Sequence, residues 1–126
     1  MLVETAPGTV IDRLTILELK LEKIADPAKR EPVRLEYEML SASFAAAVPF
    51  PGIVPLRTAL KEVNAALWQV ENDLRDCERT KDFGSRFIEL ARSIYRHNDR
   101  RSALKRQIDE AAGSVLTDVK SYPPYE

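Results

Sequence analysis

Arginine guanidinium groups present planar, forked donors that suit carboxylates and phosphates. The densest set of cations in this chain falls between positions 86 and 106. Arg86, Arg92, Arg96, Arg100, Arg101, Lys105 and Arg106 are opposed there by Glu89 and Asp99 alone. Arg92, Arg96 and Arg100 are spaced by four, so on a helix they share a face. His97, Asn98 and Arg101 fall where an apolar seam from Phe87 through Leu90 and Ile94 to Leu104 and Ile108 should continue, so the seam turns polar for about two turns. Antiparallel pairing with the preceding segment, across a turn at 80–84, brings Glu71, Asn72 and Asp73 near Arg92, Trp68 near Arg96 and Asn64 near Arg100. Two chemistries fit this set. One is a polar pocket for a small phosphorylated or carboxylated metabolite, lined by Arg92, Arg96, His97, Arg100, Arg101 and Glu71 with Trp68 as an aromatic wall, in a receptor or an enzyme. The other is an internal salt-bridge network in which Glu71, Asp73, Asp76 and Glu78 neutralise the basic segment and fix register without any ligand.

The remaining reactive side chains point away from catalysis. His97 is the only histidine, and as a general base it needs an orienting partner. Asp99 lies elsewhere on the helix. A single histidine also rules out a pair of Glu-x-x-His di-metal motifs. Asp73 and Asp76 could share a divalent ion, but that spacing is equally that of a solvated acidic face. Cys77 is the one cysteine, so no intramolecular disulfide forms, and its place on an apolar seam reads as core. Phosphate loops, nucleophile elbows and zinc spacings are missing. No catalytic residue, metal or cofactor is therefore expected. Nineteen Lys and Arg against twenty Asp and Glu give a formal charge of −1, which disfavours a nucleic-acid binder. With neither a signal-peptide opening nor an apolar stretch of about 20 residues, a cytoplasmic protein without membrane contact is expected.

Four helices must position these groups. After Pro7, the residues Val10, Leu14, Leu17, Leu21 and Ile24 form one stripe, widened by Ile11, and Asp26-Pro27 ends it. Ile16 and Leu19 fall outside the stripe, so the first helix should touch neighbours on more than one side. A second helix starts near Pro32, with Val33, Tyr37, Leu40, Phe44 and Val48 as its stripe, and stops at 49–52. Pro55 opens a third, where Leu56, Leu60, Val63, Leu67, Val70, Leu74 and Cys77 repeat at spacings of four and three. The fourth runs from the 80–84 turn to Gly113. Residues 113–126, ending in Tyr122-Pro123-Pro124-Tyr125, read as a loosely ordered tail. The expectation is one all-α domain over residues 1–126, two antiparallel helical hairpins forming a four-helix bundle.

Length then bears on assembly. The third and fourth helices should span roughly 35 and 43 Å and the first two only about 24 Å each. The second hairpin outreaches the first, leaving its tip near Leu74, Cys77, Phe83 and Phe87 bare. A second copy of the chain is the simplest cover, so a homodimer is expected, with these four residues at its interface.

Three segments, 7–20 (PGTVIDRLTILELK), 67–78 (LWQVENDLRDCE) and 82–101 (DFGSRFIELARSIYRHNDRR), resemble an uncharacterised bacterial family of short all-helical proteins. The likeness spans nearly the whole chain. It implies no reaction and points toward cell-envelope polysaccharide synthesis; together with the absent catalytic motifs and the bare hairpin tip, the expectation is a non-enzymatic interaction or accessory module with a protein partner. In such relatives an opening Ser-Pro-Gly-Glu is expected, which would form a capping box. Here Ala6-Pro7-Gly8-Thr9 stands in its place, so the cap is absent or made by Thr5.

Overall fold

A computed structural model describes residues 5–47 and 52–113. The protein is all-α. In chain order its helices are α1 (Pro7–Lys23), α2 (Pro27–Ala47), α3 (Ile53–Thr80) and α4 (Ser85–Ala111), with no strand among the described residues. The expected tail and the residues 48–51 lie outside that set.

The hairpins are α1–α2 and α3–α4. α1 packs on all three other helices, whereas the backbone of α2 lies close to that of α1 alone and reaches α3 through side chains such as Tyr37. This explains why α1 carries more than one apolar stripe. Ile11, Leu14, Leu17 and Leu19 are all buried, although they span about 200° of its circumference at about 100° per residue. The core itself is Ile11, Leu60, Val63, Leu104 and Ile108, with Phe44, Leu56 and Leu67 among the side chains packed against it. Its members come from the start of α3 and the end of α4, so α1 closes the open end of the long hairpin.

Two helix boundaries differ from the sequence reading. Asp26-Pro27 does not end α1; it starts α2. The Asp26 carboxylate accepts from the Ala28 amide at 3.0 Å, and its carbonyl accepts from Lys29 and Arg30, so Asp26 is the N-cap and Pro27 fills the first position, where no N–H is missed. Pro32 therefore sits inside α2. The turns around it are held from outside: Arg30 donates to the carbonyls of Leu21 in α1 and of Ile24, its C-cap, and Glu36 receives a forked pair of bonds from Arg13 at 2.6 and 2.8 Å.

At the other end of the molecule, α3 stops at Lys81, which adopts φ 56°. That left-handed turn lets the Asp82 amide reach back to the Cys77 carbonyl at 2.9 Å, closing the last carbonyls of the helix. Asp82 then accepts from the Gly84 amide at 3.1 Å, and α4 begins.

Candidate functional site

Polar groups inside the helix junction form a hydrogen-bonded cluster. Asp12 on α1 is 5% exposed. Its Oδ1 accepts from Arg101 Nε at 2.8 Å and from Asn64 Nδ2 at 3.0 Å, and its Oδ2 accepts from Arg101 Nη2 at 2.5 Å. Asn64 also donates to Thr15 Oγ1 at 2.9 Å, and the Thr15 hydroxyl donates to the Asp12 carbonyl at 2.8 Å. One carboxylate thereby ties α1 to α3 and α4. Burying an ion pair costs desolvation that the forked geometry and extra hydrogen bonds must offset. The cluster ties one position on each of the three helices together.

The start of α1 is held by a second carboxylate. Asp109 on α4 is 1% exposed, and its Oδ1 accepts from the Gly8 amide at 2.7 Å. Ala6, at the cap position, makes no side-chain cap bond. The cap expected to be absent or made by Thr5 is thus supplied from α4, and a carboxylate at a helix N-terminus also meets the positive end of its dipole. Gly8 makes the approach possible. A Cβ there would lie 2.3 Å from the Lys105 carbonyl oxygen and 2.9 Å from Asp109 Oδ1. Asp109 Oδ2 is buried with no hydrogen-bond partner among the described residues.

A third cluster lies where α1, α2 and α3 meet. Glu18 accepts from Arg57 and, at 3.0 Å, from the Tyr37 hydroxyl. Its other oxygen sits 3.1 Å from Lys61, which also bonds Glu22 at 2.6 Å. Burial pushes the Glu18 carboxyl up, and the bonds from Arg57, Lys61 and Tyr37 together outweigh it, holding the group below its usual 4.5. Sequence reading missed this cluster, yet a signal was present: Glu18 and Glu22 are spaced by four, as are Arg57 and Lys61, two ladders of opposite sign.

The arginine-rich stretch of α4 divides between the junction and the surface. Arg101 reaches Asp12, so its ion-pair partner comes from α1 and not from the acidic end of α3. Arg92 is exposed and pairs with Glu89 on its own helix at 3.4 Å. Glu71 is exposed and pairs with Arg75 on its own helix at 3.1 Å. Arg96 and Arg100 are exposed, with no ion-pair partner among the described residues. His97 and Trp68 are half-buried. The reason is rotational. At about 100° per residue, Arg92 starts roughly 160° away from the seam residue Ile94, and the steps of about 40° leave Arg96 and Arg100 still at least about 120° from it. Arg101 lies seven after Ile94 and stays on the seam. Across the hairpin, Arg86 approaches Asp73 at 3.7 Å and the Cys77 sulfur at 3.5 Å.

Beyond the junction, α3 and α4 continue as a two-helix arm. Val70 and Cys77 are buried in its seam, while Leu67, Leu74, Phe87, Leu90 and Ile94 are only half-buried. The bare tip needs correction at one residue: Cys77 is fully covered within the chain, because it lies on the seam facing α4. Phe83 remains 50% exposed, edge-on to Phe87 with ring centroids 5.4 Å apart. Ile88 at 52% and Tyr95 at 49% join it as the large apolar side chains most open to solvent along the arm. No helix among the described residues is long and apolar enough to cross a membrane. Nor do three His, Cys, Asp or Glu side chains gather there as a metal site would need.

Comparison with known proteins matches one family model, described as a family of unknown function (DUF6165), over residues 1–125. No curated protein and no solved structure matches the chain. With all but the final residue covered, the chain belongs to the family of unknown function DUF6165.

Proposed function

We propose that the protein is a non-enzymatic interaction module: the helix junction is a rigid base, and the projecting α3–α4 arm is the recognition element. The observation that carries this reading is a division of labour. At the junction the buried Asp12, Asn64 and Thr15 are engaged with one another and with the half-buried Arg101, and the buried Asp109 holds the Gly8 amide. The arm offers Phe83, Ile88 and Tyr95 to solvent beside a half-buried seam. Exposed large apolar side chains grouped on one projecting element suit a contact site. An accessory role beside cell-envelope polysaccharide synthesis is the setting proposed for such a module.

The test uses the full chain as bait, in three forms: wild type, an arm variant (Ile88→Glu with Tyr95→Glu), and a control on the outer face of α2 (Leu35→Glu with Met39→Glu). Leu35 and Met39 are also exposed. Partners should be lost with the arm variant and kept with the control. Equal capture by all three forms would overturn the reading.

A second reading, binding of a small phosphorylated or carboxylated anion, has one observation in its favour. Arg96 and Arg100 are exposed guanidinium groups one turn apart, with no ion-pair partner among the described residues. A thermal-shift screen against phosphosugars, nucleotides and dicarboxylates tests it. A ligand at 100 times its dissociation constant adds about 2.7 kcal/mol, and the shift should vanish in Arg96→Ala.

A further inference from the structure

We infer that α2 is a detachable strap: it opens from α1 as one unit while the junction of α1, α3 and α4 stays folded, and its opening bares a leucine face on α1. The inference is independent of what the arm binds.

α1 lies between two unlike contacts. Arg13 and Glu18 bond α2 at Glu36 and Tyr37, and they stand about 140° apart around α1. Leu14 and Leu17 fall inside that sector and are buried, so they form the face that α2 covers. Gly8, Asp12 and Thr15 bond α3 and α4. They lie on the opposite side of α1, about 160° from the middle of the leucine sector. Lifting α2 therefore breaks none of the bonds that those three residues make to the base. Arg57 and Lys61 of α3 also keep their hold on Glu18.

The two contacts differ in depth. Over its described side chains, 27–44, α2 has no buried residue, whereas α1, α3 and α4 each bury several. Its inner row, Val33, Tyr37, Leu40 and Phe44, is only half-buried; of the four, Phe44 packs against the core of the base. The ion pair joining α2 to α1, Arg13 with Glu36, is exposed by more than two fifths on both sides, where solvent screens its contribution. Arg30 bonds the Leu21 and Ile24 carbonyls beside the α1–α2 connection, which serves as the hinge. Elements with few buried contacts and exposed polar ties open at the lowest free energies in a domain. Once off α1, a 21-residue helix with Pro32 inside it does not hold its own hydrogen bonds in water, so opening makes its amides exchangeable.

Native-state hydrogen exchange of the full chain in rising, sub-denaturing urea tests the inference. Amides of residues 33–44 should exchange together. They should be protected at least about 10-fold less than those of 60–64 and 104–108, with a weaker urea dependence. Thr15→Ala removes two hydrogen bonds of the junction. It should speed exchange at 60–64 and 104–108 about 2- to 12-fold and leave α2 unchanged, because those bonds survive in the open form. Leu17→Ala, under the strap, should speed both sets by the same factor, on the order of 30-fold or more. A Thr15→Ala effect of equal size on α2 would show that the chain opens as a single unit and overturn the inference. So would wild-type α2 amides protected as strongly as those of the base, a comparison that stands even if neither variant folds.

Discussion

Asp109, near the end of α4, caps the first helix by accepting a hydrogen bond from Gly8, 101 positions earlier in the chain. The contact joins the two ends of the helical sequence. It also makes a glycine inside a helix favourable. Glycine normally costs about 1 kcal/mol there relative to alanine. At position 8 an added methyl would meet the Lys105 carbonyl oxygen at 2.3 Å. Gly8→Ala should therefore destabilise the fold by on the order of 1–3 kcal/mol, the reverse of its effect on an isolated helix. Urea denaturation checks the sign, and a more stable variant would contradict the packing described. Asp109→Ala should cost about 0.5–2 kcal/mol through the lost cap.

Arg101 and Arg100 are adjacent in sequence and should behave oppositely. Arg101→Ala leaves the buried Asp12 carboxylate without its guanidinium, at a cost on the order of 3–5 kcal/mol. Arg100→Ala and Arg96→Ala touch exposed side chains and should stay within about 0.5 kcal/mol of wild type. Chemical unfolding of the three variants separates them. A large loss in Arg96→Ala would show that the row is structural after all.

The Glu18 cluster predicts the acid limb of stability. Its carboxyl is held below the usual 4.5 by Arg57, Lys61 and Tyr37 against the opposing effect of burial. Glu36 is held low as well, chiefly by its bonds from Arg13. A carboxyl whose folded value is depressed binds its proton more readily in the unfolded chain. Its contribution is thus fully present above the unfolded value and lost as pH falls through the lower folded one. Stability should drop below about pH 4.5, and Glu18→Gln should lower stability at neutral pH while flattening that limb. An acid limb identical to wild type would remove Glu18 from the account.

Lys81 ends α3 in the left-handed region, where a Cβ is disfavoured by about 1–2 kcal/mol. Lys81→Gly should relieve part of this and stabilise the chain by up to about 1 kcal/mol. Thermal unfolding reads it directly, and a lower melting temperature would count against the turn geometry.

Much of this architecture was legible in the residue pattern. The four-and-three repeat from Leu56 to Cys77 marks α3, and the mismatch in hairpin lengths announces an uncovered arm. Local signals misled at Asp26-Pro27, because a proline both ends one helix and begins the next; the Asp26 carboxylate that decides between them leaves only an ambiguous trace. The partner of Arg101 was not readable either. Periodicity places Arg101 on the seam of α4, but Asp12 is 89 positions away and reads in isolation as one more polar position beside an apolar stripe. Only the burial of α1 on several sides brings it inside. Local spacing carries no information about which helix closes over a polar gap.

The central claim is that polar groups at the base hold the fold while the arm makes the contact. The most direct measurement compares Arg101→Ala with the arm variant, Ile88→Glu with Tyr95→Glu, recording unfolding free energy and partner capture for each. The account predicts a crossed result: Arg101→Ala loses on the order of 3–5 kcal/mol and still captures partners under conditions where it is folded, while the arm variant keeps its stability and loses capture. An Arg101→Ala chain that is as stable as wild type but captures nothing would make the junction the functional site and contradict it.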